Sequence, residues 1–208
     1  MLFRSLRFWL DRGVDGFRVD VAHGLVKDQT FPDTTGSMHT AENAPGHRMP
    51  MWDQDGVHDI YRRWRRILDE YTVPGDPDSE RILCAEAWVQ PEEALARYVR
   101  PDEMHQAFNF EFLDTRWDPA GYRHVITESY RSNDAVGAPT TWVLSNHDVL
   151  RHATRLAVVQ GGYRPNGIGA DDPQPDPELG LRRARAATTM MQIGRAHVST
   201  PVTSVNLV

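Results

Sequence analysis

Three carboxylates stand where three apolar runs stop. Asp20 closes GFRVD, Glu86 follows ILCA, and Asp148 lies in WVLSNHDVLR. Each run has the length and residue type of a strand, and each gives way to a turn or helix signal. The acids are about 60 residues apart, with helical pattern between them. A strand–helix repeat makes a parallel sheet, whose strands all open their carboxyl ends onto one face. Acids remote in sequence then converge on one pocket. Two or three converging carboxylates are what glycoside hydrolysis needs.

The remaining pattern supports that repeat. LFRSLRFWLDRG places Leu2, Phe3, Leu6, Phe8, Trp9 and Leu10 as the end of an amphipathic helix, stopped by Gly13 as a C-cap. Residues 16–21 follow as a strand. Residues 22–54 have no period and form a long loop, of the kind that carries function. Over residues 55–71, Val57, Ile60, Tyr61, Trp64, Ile67, Leu68 and Tyr71 recur at helical spacing. RILCAEAW is the second strand, and PEEALARYVR a short helix with Pro91 at its start. MHQAFNFEFL is predicted as the third strand throughout. A helix near PAGYRHVITESYR, a fourth strand TTWVLSNHD, a loop over 160–177 and a last helix ELGLRRARAATTMM complete an α/β order.

Composition bounds the partners. The 208 residues carry a net charge of -6, which gives no pull toward nucleic acid or an anionic membrane. The basic run in YRRWRRILDE is the solvated face of its helix. Cys84 is the only cysteine, so no internal disulfide forms, which fits a cytoplasmic location. Set between Leu83 and Ala85, it reads as a buried, inert thiol. No run has the length of a membrane span, and no signal peptide is visible. His39, His47 and His105 lack a metal-ligand spacing, so neither metal nor cofactor is predicted.

Taken singly, the acids have structural readings. Asp20 and Asp148 suit helix N-caps, Arg18 suits an ion pair, and Glu86 suits a surface strand end. Their order and spacing favour function. GFRVDVAH, AEAW and SNHD resemble, in order, the motifs at the fourth, fifth and seventh strands of the alpha-amylase family of glycoside hydrolases. HQAFNFEF resembles the sixth strand of its alpha-glucosidase branch. The resemblance covers about residues 1–191 and runs nearest to bacterial alpha-glucosidases, with oligo-1,6-glucosidase and trehalose-synthase-like enzymes nearby.

The resemblance implies a partial (β/α)8 TIM barrel covering about the fourth to seventh βα units. It implies retaining hydrolysis of alpha-glucosidic bonds in oligosaccharides, with an alpha-glucoside as partner and no cofactor. Asp20 matches the nucleophile, Glu86 the acid/base and Asp148 the acid that binds sugar hydroxyls and stabilises the transition state. His147 and His23 match positions on the sugar side, and Phe108 and Asn109 line the acceptor side. Arg18 lies two residues before Asp20 and so shares its face, where a guanidinium keeps a carboxylate ionised. The apolar neighbours of Glu86 (Ala85, Ala87 and Trp88) favour its protonated form. Val21 resembles the residue that accompanies alpha-1,6 preference in some relatives.

The resemblance also bears on the ends. The family's first motif, first three strands and inserted small domain are expected before Met1, and the eighth strand beyond Met191. Residues 1–192 are thus read as a barrel fragment, expected to be insoluble or molten and inactive by itself. Ile193 to Thr203 resembles the translation of a sequencing adapter with one stop codon altered to Ser199. The tail over 193–208, His197 included, is read as non-native. Two alternatives stand beside hydrolysis. A transglycosylating relative such as trehalose synthase uses the same acids. A non-catalytic homologue such as a transporter heavy chain is marked by loss of an acid, and all three are present here.

Overall fold

The computed structural model describes residues 2–33, 49–158, 167–172 and 174–193. His39, His47 and the tail from residue 194 lie outside the described residues. The elements run in chain order as α1 (Leu2–Leu10), β1 (Gly16–Val19), α2 (Gly56–Asp69), β2 (Ile82–Ala85), α3 (Glu92–Ala96), β3 (Gln106–Asn109), α4 (Phe110–Asp114), α5 (Pro119–Asp134), β4 (Thr141–Trp142), α6 (His152–Arg155) and α7 (Pro177–Ile193). They form two compact units, Met1–Phe108 with Ser129–Thr140, and Asn109–Glu128 with Thr141–Val208.

In the first unit β1 pairs parallel with β2, Arg18 against Cys84 and Val19 against Ala85. β2 pairs parallel with β3, Cys84 against Gln106 and Ala85 against Ala107. The helix period of α2 turns Val57, Tyr61, Trp64, Ile67 and Leu68 into the core, where they meet Leu6, Leu10, Leu83 and Tyr98. Each such side chain contributes about 1.5–3 kcal/mol by leaving water. α1 ends at the predicted glycine: Gly13 has φ 85°, and its N–H donates to the Leu10 carbonyl at 2.9 Å. Cys84 is buried and free, and burial pushes its thiol up to about 12. His105 is structural, its Nδ1 accepting the Leu83 N–H at 3.0 Å.

The second unit is built on Phe112, Tyr122, Val125, Leu144, Leu156 and Ala187. Phe112 packs its ring on Tyr122 and Trp142 at 5.3 and 4.8 Å. Helices α6 and α7 meet at Gly180, where an added Cβ would lie 2.2 Å from the Ala153 carbonyl oxygen. Only glycine allows that approach.

Three strands are shorter than their apolar runs. The predicted third strand over 104–113 stops at Asn109, because Asn109 Oδ1 accepts the Phe112 N–H at 2.7 Å and caps α4. FEFLD is therefore helix. β2 ends at Ala85 and β4 holds only Thr141–Trp142. The candidate acids follow β1, β2 and β4, where the chain has left sheet pairing.

Candidate active site

Asp20 and Glu86 are the residues immediately after the paired Val19 and Ala85. Parallel pairing thus puts one acid at the carboxyl end of each of two adjacent strands. The chain after β1 turns sharply. Val21 has φ 44° and ψ 48°, a left-handed conformation that costs a β-branched residue about 1–3 kcal/mol. That turn directs the Val21 N–H onto Glu86 Oε2 at 2.7 Å. The Ala22 N–H donates to the Glu86 carbonyl at 2.8 Å, and the Glu86 N–H donates to the Val19 carbonyl at 2.9 Å.

The two acids occupy opposite environments. The Asp20 side chain is 70% exposed, and Arg18 Nη1 donates to its Oδ1 at 2.6 Å. Glu86 is 4% exposed, which excludes a surface strand end. Burial raises the Glu86 carboxyl above its ordinary range, and the charge of Asp20 adds to the shift. The Val21 N–H, Arg18 and the Trp88 side chain oppose it without reversing it. Two neighbouring carboxyls held in different environments are the arrangement that divides acid from nucleophile roles.

Beneath the turn lies a layer that the sequence pattern did not reveal. His23 is 2% exposed and stacks on Trp52 with ring centroids 4.8 Å apart. Lys27 Nζ lies 5.1 Å from the Trp52 ring centroid. The Asp53 N–H donates to the His23 carbonyl at 2.7 Å, and Tyr98 donates to Asp53 Oδ1 at 2.6 Å. Burial, with the charge of Lys27 added, lowers His23 to about 4. The ring is neutral at pH 7. Trp52 and Asp53 fall in an aperiodic loop, where no spacing signals a packing role.

Of the remaining candidates, Asn109, His147 and Asp148 belong to the second unit and Phe108 to the first. Asn146 Oδ1 accepts the N–H groups of Asp148 and Val149 at 3.0 and 3.1 Å. Arg151 Nη1 donates to the Asn146 carbonyl at 2.7 Å. This turn presents His147 and Asp148 with side chains 68% and 55% exposed, 3.5 Å apart at their closest polar atoms. Phe108 and Asn109 are 6% and 1% exposed at the end of β3. A cavity of about 450 Å³ lined by Trp117, Tyr122, Ile126 and Met190 contains none of the candidate acids. Among the described residues no cluster of His, Cys, Asp and Glu forms a metal site, and no helix is long and apolar enough to cross a membrane.

Comparison with known proteins decides the family. Residues 1–166 match the alpha-amylase catalytic domain. The chain belongs to that family. The (β/α)8 barrel of the alpha-amylase family is the fold of which these parallel strands and helices are a part. The chain is 30% identical over 167 residues to a probable alpha-glucosidase of Rhizobium meliloti (strain 1021), covering 73% of this chain and 28% of that protein. It is 33% identical over 165 residues to maltase A2 of Drosophila melanogaster, again 73% of this chain and 28% of that protein. Among solved structures it is similar to the alpha-glucosyl transfer enzyme XgtA, with TM-score 0.60 and 25% identity over 76% of this chain and 30% of that one. The trehalose-6-phosphate hydrolase of Bacillus licheniformis shares the fold, with TM-score 0.54 and 22% identity over 71% of this chain and 26% of that one. The chain therefore spans less than a third of the length of these relatives.

Proposed function

We propose that the protein carrying this chain hydrolyses alpha-glucosidic bonds in oligosaccharides with retention of configuration. The observation that carries this reading is the placement of Asp20 and Glu86 after register partners on adjacent parallel strands. Such strands lie about 4.8 Å apart, and a retaining pair needs carboxyls about 5–5.5 Å apart.

The roles follow from the two environments. Glu86, whose protonated form burial favours, gives its proton to the glycosidic oxygen as the bond to C1 breaks. Asp20, oriented by Arg18, attacks C1 and forms a glycosyl ester. Glu86, now a carboxylate, takes a proton from water. The resulting hydroxide attacks C1 and Asp20 leaves as a carboxylate. In this reading Asp148 is the third acid of the family and His147 hydrogen-bonds the same sugar. Phe108 and Asn109 shape the acceptor side through the chain they anchor, since Asn109 Oδ1 caps α4. The buried free thiol of Cys84 supports a cytoplasmic location.

Proton NMR of the anomeric region tests the reaction on the full encoded protein. Release of alpha-glucose as the first product supports it, and initial release of the beta anomer overturns it. Likeness to a glucosyl transfer enzyme favours a second outcome on the same acids, in which a sugar hydroxyl replaces water. Accumulation of a larger glucoside at high substrate identifies that case.

A further inference from the structure

We infer that the main-chain N–H of Val21 positions the acid/base: it holds Glu86 Oε2, leaves Oε1 to carry the proton, and stabilises the carboxylate that remains once the proton is given. This rests on the reading of Glu86 given above. The Val21 N–H donates to Glu86 Oε2 at 2.7 Å, and the Ala22 N–H donates to the Glu86 carbonyl at 2.8 Å. Two successive amides thus grip one residue by its side chain and its main chain. Val21 is left-handed, and Ala22 begins the short helical turn Ala22–Gly24. Successive N–H groups in such a turn form a concavity that favours a negative oxygen. In the neutral acid the carbonyl-type oxygen is the better acceptor, so the amide takes Oε2 and the hydroxyl is at Oε1.

The turn is braced from outside. Tyr61 donates from α2 to the Ala22 carbonyl. The Gly24 N–H closes on the Val21 carbonyl at 2.8 Å, and the Asp53 N–H on the His23 carbonyl at 2.7 Å. Glu86 is anchored in turn by its own N–H on the Val19 carbonyl at 2.9 Å. The amide therefore meets Oε2 in a fixed position. A hydrogen bond to a charged oxygen is about twice as strong as one to a neutral oxygen, so this amide favours the carboxylate over the acid. Burial pulls the other way and is the larger influence. Of the charged groups acting on Glu86, Arg18 favours the carboxylate and Asp20 opposes it. His23 in the same turn, lowered to about 4, is neutral at pH 7. On the far side β3 sets the apolar Ala107 against Ala85. The amide lets one buried carboxyl serve as acid in the first step and as base in the second.

A single-atom change tests this in the full encoded protein. Val21 is replaced by its α-hydroxy acid analogue at a suppressed stop codon, which keeps the side chain and turns the N–H into an ester oxygen. The basic limb of kcat/KM on an alkyl alpha-glucoside reports loss of the Glu86 proton. In the ester protein that limb is expected to move to higher pH by about 1–2 units, with the plateau lowered roughly tenfold. Val21→Ala, which keeps the N–H, is expected to leave the limb in place. A lowered plateau with an unmoved limb overturns the proposal by making the turn general packing. An equal shift in Val21→Ala overturns it by assigning the effect to the side chain. If the ester protein does not fold, the unmodified protein decides. Labelled with 15N-valine, its Val21 amide resonance, assigned with Val21→Ala, must follow the basic limb and stay still in Glu86→Gln; a resonance that does not follow overturns the proposal. Glu86→Gln also guards the underlying reading. If it still hydrolyses the alkyl glucoside at the parent rate, the acid/base role itself fails; if it does not, and the limb ignores the ester, only the role of Val21 falls.

Discussion

The Val21 N–H donates to Glu86 Oε2 across 2.7 Å, and Val21 makes that bond from a left-handed conformation at φ 44°. A β-branched residue rarely adopts this region. The strain belongs to the turn that carries Asp20 out of β1 and brings the next amide onto the acid.

Val21→Gly removes that strain. Relief of about 1–2 kcal/mol is offset by roughly 1 kcal/mol of extra unfolded-state entropy and by some lost packing of a side chain that is 39% exposed. Urea unfolding of the full protein is expected to show stability within about 1 kcal/mol of the parent. A loss above about 2 kcal/mol would mean that Val21 is not strained there.

Much of this was legible in the sequence. The period of α2 and the glycine after α1 predicted those elements, and the two-residue spacing of Arg18 and Asp20 predicted that they share a face, where they hydrogen-bond. What was not legible was tertiary. Asn109 reads as one more strand residue until its side chain is seen capping α4. His23 reads as a loop histidine near the sugar, because its burial depends on Trp52, nearly thirty residues away. The left-handed Val21 runs against local preference, so no propensity signals it.

Glu86 also sets a pH dependence. Its folded-state carboxyl lies above the ordinary value of 4.5, so the folded chain holds that proton more tightly than the unfolded chain. The associated stability is fully present below pH 4.5 and is lost as pH rises through the raised value. Glu86→Gln cannot ionise. Its stability relative to the parent is therefore expected to improve as pH goes from 4 to 8, measured by thermal unfolding across that range. A constant difference contradicts the raised carboxyl.

The polar centre beneath α2 is a separate test of the fold. Glu103 is 0% exposed and accepts from His58 Nδ1 at 2.7 Å and Arg100 Nε at 2.8 Å, with Arg62 Nη2 at 3.1 Å. Removing one partner of such a group leaves buried donors uncompensated, at about 3–5 kcal/mol. Glu103→Ala is expected to lose about that much in chemical denaturation. A loss under about 1 kcal/mol would show that water reaches the cluster.

In the proposed reaction Asp20 forms the covalent bond to the sugar while Glu86 supplies the proton. The most direct measurement is trapping with 5-fluoro-alpha-glucosyl fluoride, whose ring fluorine slows release of the glycosyl ester. The full encoded protein is digested and its peptides are mapped by mass spectrometry. A single fluoroglucosyl adduct on Asp20, absent in Asp20→Asn, is the expected result. An adduct on another carboxylate, or steady turnover of the reagent by Asp20→Asn, would contradict it.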